Sequence, residues 1–182
     1  MSRLSAYRQC LLALCIALPW ALPGSASAQP TAVPENAVKA VLFFKLPQFV
    51  YLPEERRGQA PAVCVIGEHP IADALEKLAR TTPEGRASTF RSVATISEAA
   101  RCDFLFVSRA ESNTYESILQ HLGNSRAATV SDIAGFAKAG GMIEFAPNLD
   151  GGVQILINRK AARRQGIDFN AQLLRLARIV EP

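Results

Sequence analysis

The sequence predicts an α/β fold: a single three-layer domain with a mainly parallel sheet and an antiparallel hairpin near the C-terminus. Three observations carry that expectation. Short apolar runs alternate with amphipathic helical segments between Ala62 and Val130, the pattern of strand–helix–strand units. Phe104-Leu105-Phe106-Val107 is apolar throughout, as a strand covered on both faces must be. Met142–Phe145 and Val153–Ile157 flank Asn148-Leu149-Asp150-Gly151-Gly152, a turn suited to a hairpin.

Residues 1–28 have the form of a cleaved secretory signal. Arg3 and Arg8 are its positive region, and Leu11–Leu18 is an apolar run too short to span a bilayer. Ala26-Ser27-Ala28 is the cleavage sequence. The mature protein is expected to start near Gln29 and to form one domain over residues 29–182, a comfortable single-domain length. No later run of apolar residues is long enough for a transmembrane helix. The chain carries 20 Lys and Arg against 16 Asp and Glu. Removing Arg3 and Arg8 leaves 18 against 16, a net charge of +2, which argues against nucleic acid as a partner.

From Pro34 a helix is expected, with Glu35 in its first turn. Val38, Val41, Leu42 and Lys45 recur at helical spacing, and Phe43, Phe44 and Leu46 widen the apolar face. Pro47 ends or kinks it. Ala62–Ile66 reads as a buried strand, Ile71–Leu78 as an amphipathic helix and Ser88–Val93 as a second strand. Ile96–Ala100 reads as a short helix, Ser112–Leu122 as a longer one, and Ala127–Val130 as another strand. After the hairpin come two short helices that mix Arg, Lys, Asn and Gln with Leu and Ile.

Cys10 and Cys15 lie in the signal, which leaves Cys64 and Cys102. In an oxidising compartment two cysteines read first as one disulfide, the alternative being two unpaired core thiols. In a flavodoxin-like strand order the strands holding or following these cysteines are neighbours. Adjacent strands lie about 4.8 Å apart, close to the separation a disulfide accepts.

The candidate catalytic groups are few. His69 and His121 have no carboxylate or cysteine at metal-ligand spacing, so neither a metal nor a cofactor is expected. His69 follows a strand end, where α/β sites often lie, and is read as a solvent-exposed loop residue. His121 suits a helix C-terminus. Ser108 and Ser131 follow strands but lie in no nucleophile elbow, and Ser131-Asp132 is read as the cap of a short helix through Phe136. Gly140-Gly141 is read as a tight turn rather than a phosphate cradle. The strongest charge feature is Arg159, Lys160, Arg163 and Arg164, followed by Arg175 and Arg178 among Leu173, Leu174, Leu176 and Ile179. A charge run is usually a solvated helix face, whereas an Arg-and-Leu surface suits protein recognition.

Ordered segments along nearly the whole mature chain resemble the YfiR family of periplasmic proteins. They are Ala37-Val38-Lys39-Ala40, Phe49–Pro53, Val63-Cys64-Val65-Ile66-Gly67 and Cys102-Asp103-Phe104-Leu105-Phe106-Val107-Ser108. Val130-Ser131-Asp132, Gly140-Gly141-Met142-Ile143, Asn158 with Ala161-Ala162-Arg163, and Leu173–Arg178 complete the series. The resemblance implies a regulator rather than an enzyme. Members repress a membrane-bound diguanylate cyclase by binding its periplasmic sensor domain. An outer-membrane lipoprotein sequesters the repressor, which raises cyclic di-GMP and promotes biofilm formation. Cys64 and Cys102 match the family's cysteine pair. Some members have a second pair around the Gly-Gly-Met turn, where this chain has Ala137 and Glu144.

The expectation is therefore a periplasmic inhibitory protein. Its partner surface is expected to include Phe136, Met142, Asn158, Arg163, Gln172, Leu173 and Arg175, and a second copy of the chain is a further candidate partner. The competing expectation is a small-molecule binding module that feeds a sensor kinase or another receptor. A hydrolase using Ser108 or Ser131 with His69 is a third.

Overall fold

The computed structural model describes residues 34–56 and 58–181. The expected signal, residues 1–28, and the start of the mature chain at Gln29 lie outside the described residues. Helix α1 (Glu35–Lys45) gives way to a 3-10 turn at Leu46–Gln48, where Pro47 removes a backbone donor. Its buried face is Lys39, Ala40, Phe43 and Phe44, while Val41 is exposed. The inward face is therefore rotated from the one the apolar spacing suggested, and a lysine lies within it.

Strand β1 (Val50–Tyr51) is followed by β2 (Ala62–Ile66), α2 (Ile71–Thr81), α3 (Pro83–Arg86), β3 (Thr89–Val93), α4 (Ile96–Ala99) and β4 (Phe104–Val107). A capping box formed by Thr95 and Glu98 starts α4. The helix expected over Ser112–Leu122 is shorter: α5 spans Tyr115–His121, and a 3-10 turn at Arg109–Glu111 precedes it. Ser108 explains the division, because its hydroxyl caps that turn by accepting from Ala110 N–H at 2.9 Å. Strands β5 (Ala128–Ser131), β6 (Ile143–Pro147) and β7 (Val153–Ile157) follow. The chain then forms α6 (Arg159–Arg164), β8 (Asp168–Phe169), α7 (Ala171–Leu176) and β9 (Arg178–Ile179).

The main sheet has seven strands in the order β3-β2-β4-β5-β6-β7-β9. Every pairing is parallel except the β6–β7 hairpin, so the expected architecture holds. Two features were not legible in the sequence. Strands β1 and β8 form a separate two-stranded antiparallel sheet. Arg178 and Ile179 form an edge strand beside β7, rather than continuing a helix from Leu173.

The two-residue strand period separates two cores. Val63, Val65, Phe104 and Phe106 face the layer of α1 and α2, together with Ala161 and Ala162 of α6 and Leu173 of α7. Cys64, Ile66, Leu105 and Val107 face Ala99 of α4 and Ile118 of α5. Cys64 is disulfide-bonded to Cys102 within this second core, with a Cα–Cα distance of 6.0 Å. Gly141 shows how tightly the β5–β6 connection is packed, because a Cβ there would lie 2.2 Å from the Phe136 ring.

The disulfide closes a loop between residues 38 apart in sequence, and constraining that loop in the unfolded state stabilises the fold by about 4 kcal/mol. Denaturant unfolding of the Cys64→Ala/Cys102→Ala protein is expected to show a loss of that order relative to the oxidised parent. A midpoint unchanged under non-reducing conditions would contradict it.

Candidate functional site

The C-terminal ends of β2, β4 and β5 lie side by side, and the residues just beyond them converge. They contribute His69, Arg109 and Asp132, while α1 brings Lys39 from the adjoining layer. Lys39 sits on the buried helix face one turn after Glu35 and reaches two carboxylates: Asp132 Oδ2 at 2.7 Å and Glu35 Oε1 at 2.6 Å. Arg109 Nε lies 3.1 Å from the same Asp132 oxygen, and His69 Nε2 lies 3.4 Å from it. His69 Nδ1 accepts the Ile71 N–H at 3.1 Å, which places the ring's proton on Nε2, toward Asp132. The ring packs 5.1 Å from that of Phe106.

Asp132 is the hub. Its side chain is 1 % exposed, and Oδ1 is buried without a hydrogen-bond partner. Burial by itself would raise the carboxyl pKa. The hydrogen bonds from His69 and Lys39, with the Lys39 charge, outweigh it and lower the value from 3.8 to about 2. The Glu35 carboxyl is also lowered, first by its hydrogen bond from Lys39. The cluster therefore holds Asp132 as an anion under all ordinary conditions.

This arrangement corrects two expectations. His69 is not a solvent-exposed loop residue, since its side chain is 7 % exposed. Ser131-Asp132 caps no helix, because residues 133–140 form turns. Ser131 accepts from Ile133 N–H at 3.0 Å and donates to the Val107 carbonyl at 2.7 Å. Ser108 donates to the Glu68 carbonyl at 2.9 Å. Both hydroxyls are thus committed to backbone carbonyls, and His69 is committed to Asp132 and Ile71. Among the described residues, no serine–histidine hydrogen bond joins them into a nucleophile–base pair.

Crossing from β3 over β2 to β4 creates a topological switch point, where α/β folds place ligands. Its floor is crowded: Gly67 has φ +79°, and a Cβ there would lie 2.7 Å from Ser108 Oγ. Beside it a cleft of about 500 Å³ remains, lined by Gly67, Glu68, His69, Ala72, Ser92, Val93, Ala94 and Glu111.

The seven residues expected on a partner surface do not share one. Phe136, Met142, Asn158 and Leu173 are buried. Phe136 lies 5.8 Å from the Tyr115 ring, and Met142 and Leu173 belong to the first core. Asn158 caps α6 by accepting from Ala161 N–H at 2.9 Å and donates to the Ala137 carbonyl at 2.7 Å. Arg163 on α6 and Gln172 and Arg175 on α7 are exposed. The buried apolar residues resemble a recognition surface in sequence because helix faces toward core and partner have the same composition.

The turn that lacks a second cysteine pair is tied without one. The buried Glu144 carboxylate accepts from Gly135 N–H at 3.1 Å and Ala137 N–H at 3.0 Å. Glu144 and Ala137, the places of the absent pair, thus hold each other by a hydrogen bond.

A family model described as DUF4154, YfiR/HmsC-like, matches residues 36–178. No curated protein matches the chain significantly. Among solved structures, the fold is similar to that of a conserved domain protein from Vibrio cholerae O1 biovar eltor str. N16961, with TM-score 0.57 and 12% identity. That alignment covers 81% of this chain and 60% of the other. It is also similar to the ABC domain in complex with L-Trp from Streptococcus pneumonia, with TM-score 0.53 and 12% identity, over 80% of this chain and 60% of that one. The chain thus spans about 60% of the length of either structure, and the likeness is one of fold.

Replacing Lys39 by Ala is expected to destabilise the protein by about 3–5 kcal/mol, because it leaves a buried carboxylate without its closest cation. Chemical denaturation reads this directly, and a loss near zero would show that the cluster does not hold α1. Asp132 has its pKa depressed on folding, so its contribution is fully present above about pH 4. It disappears as the pH falls through about 2, a difference on the order of 2 kcal/mol. The stability–pH curve of Asp132→Asn should be flatter than the parent's in that window, and identical slopes would contradict the assignment.

Proposed function

Because the chain belongs to the YfiR/HmsC-like family, we propose that it is a periplasmic inhibitory binding protein. It is exported through the N-terminal signal and represses a membrane-bound diguanylate cyclase through the cyclase's periplasmic sensor domain. The observation that carries this reading is the family match across residues 36–178. The site geometry agrees with it, since the ionisable groups at the strand ends are turned on one another. Repression would be conformational: the protein binds the sensor domain's inactive state more tightly than its active state and so shifts the population. Arg163, Gln172 and Arg175 are exposed and would contact the partner directly. The buried residues Asn158 and Leu173 would hold α6 and α7 in place beneath them. An outer-membrane lipoprotein that sequesters the protein would relieve repression and raise cyclic di-GMP.

Deleting the gene is expected to raise cellular cyclic di-GMP and surface-attached growth, and restoring it in trans should reverse both. Unchanged cyclic di-GMP across growth conditions would count heavily against the reading.

The cleft beside Gly67 and His69 favours a second reading, a small-molecule module whose ligand tunes a receptor. Strong thermal stabilisation by one metabolite would support it. A flat screen together with tight sensor-domain binding would favour the first reading.

A further inference from the structure

We propose that the cleft between α6 and β9 binds an extended acidic segment of a partner protein. This rests on the regulator reading and deepens it by assigning the chemistry of the partner's contact. The cleft has a volume of about 750 Å³ and is lined by Arg159, Lys160, Arg163, Arg164, Ile179, Val180 and Glu181. Four cations thus face one carboxylate. Helix α6 reads Arg-Lys-Ala-Ala-Arg-Arg. Its two alanines are buried, which turns the long basic side chains outward. Arg159 is partly held, 3.7 Å from Asp168. Lys160, Arg163 and Arg164 are exposed, and among the described residues none of the three makes an ion pair. Like charges gathered on one short helix repel each other, and an anionic partner relieves that repulsion.

The opposite wall supplies a different chemistry. Among the described residues, strand β9 is the last strand of the sheet and pairs with β7 alone. Val180 N–H donates to the Ile157 carbonyl at 2.9 Å, so alternation along the strand turns the N–H and C=O of Ile179 toward the open edge. Ile179 is 44 % exposed, and Leu176 before it is 72 % exposed. An extended chain with carboxylates and apolar residues at alternate positions satisfies both walls. Its carboxylates meet α6 on the sheet face that Ile179 shares with that helix, its apolar side chains lie on the opposite face, and its backbone pairs with the edge. An anionic lipid surface fits less well, because the cleft is concave and has Glu181 in its lining.

The test uses the purified mature protein and its Arg163→Glu/Arg164→Glu variant, with Arg163→Gln/Arg164→Gln as a milder second. The probes are a fluorescent alternating Glu-Val peptide, its Lys-Val counterpart, and vesicles of phosphatidylglycerol and phosphatidylcholine. The parent is expected to bind the Glu-Val peptide and not the Lys-Val one. Affinity should fall at least about tenfold in the reversal variant and weaken with added salt. Equal binding by parent and variants, no binding by the parent, or vesicle binding in place of peptide binding would each overturn the proposal. In cells the two readings separate. If deletion raises cyclic di-GMP but the folded reversal variant represses normally, the acidic-segment site is wrong and the regulator stands. If deletion changes nothing while the variant loses the peptide, the regulator reading is wrong and the site stands.

Discussion

One buried carboxylate organises the sheet's C-terminal end. Asp132 alone would be an unfavourable occupant of an interior site, since an unpaired buried charge costs several kcal/mol. Lys39, Arg109 and His69 gather on it from α1, from the end of β4 and from the end of β2. Lys39 and Asp132 are 93 residues apart in sequence. The carboxylate therefore fixes where the first helix lies on a sheet whose central strands come much later in the chain. Phe43 packs 5.5 Å from Phe106 of β4, and Lys39 reaches Asp132 at the end of β5, so an aromatic contact and an ionic one register the same helix against two neighbouring strands. The two are complementary. Apolar packing tolerates small shifts, whereas charge-assisted hydrogen bonds demand direction.

That organisation bears on what the site can do. In many α/β folds the crevice beyond the strand ends takes a ligand. Here much of it is filled by the protein's own side chains and by the close approach of Gly67 to Ser108. Reactive groups that face one another give a rigid frame for surface elements. Lys160, Arg163 and Arg164, which are exposed and make no ion pair among the described residues, lie instead on α6, away from the strand ends, which is why recognition is assigned there.

The architecture was legible because hydrophobic period and turn chemistry speak directly to strands and helices. The fully apolar Phe104–Val107 run and the Asn148–Gly152 turn both became what their composition implied. The ionic cluster was not legible. Lys39 in sequence is one cation in an apolar helix, and only the fold shows that it points inward. His69 and Asp132 lie 63 positions apart, and each reads as loop chemistry. A usable hint did exist in the topology: residues immediately beyond parallel strands meet at one end of the sheet, so His69, Arg109 and Asp132 could have been grouped once the strand order was assumed. The two-residue strands β1, β8 and β9 carry too little pattern to be read at all. The buried members of the expected surface failed for a different reason, since Leu, Met and Phe are equally at home in a core and in an interface.

The alternation along β2 also keeps the fold's covalent and ionic restraints apart. Cys64 points to one face of the sheet, and Val63 and Val65 on either side point to the other. The covalent staple accordingly belongs to the α4 and α5 layer, and the ionic hub holds α1 on the opposite side. A reductant therefore acts on one layer alone, with the sheet as a rigid partition between the staple and the ionic hub. Opening the staple loosens the α4 and α5 layer and leaves the α1 hub and the basic helix α6 held by their own contacts.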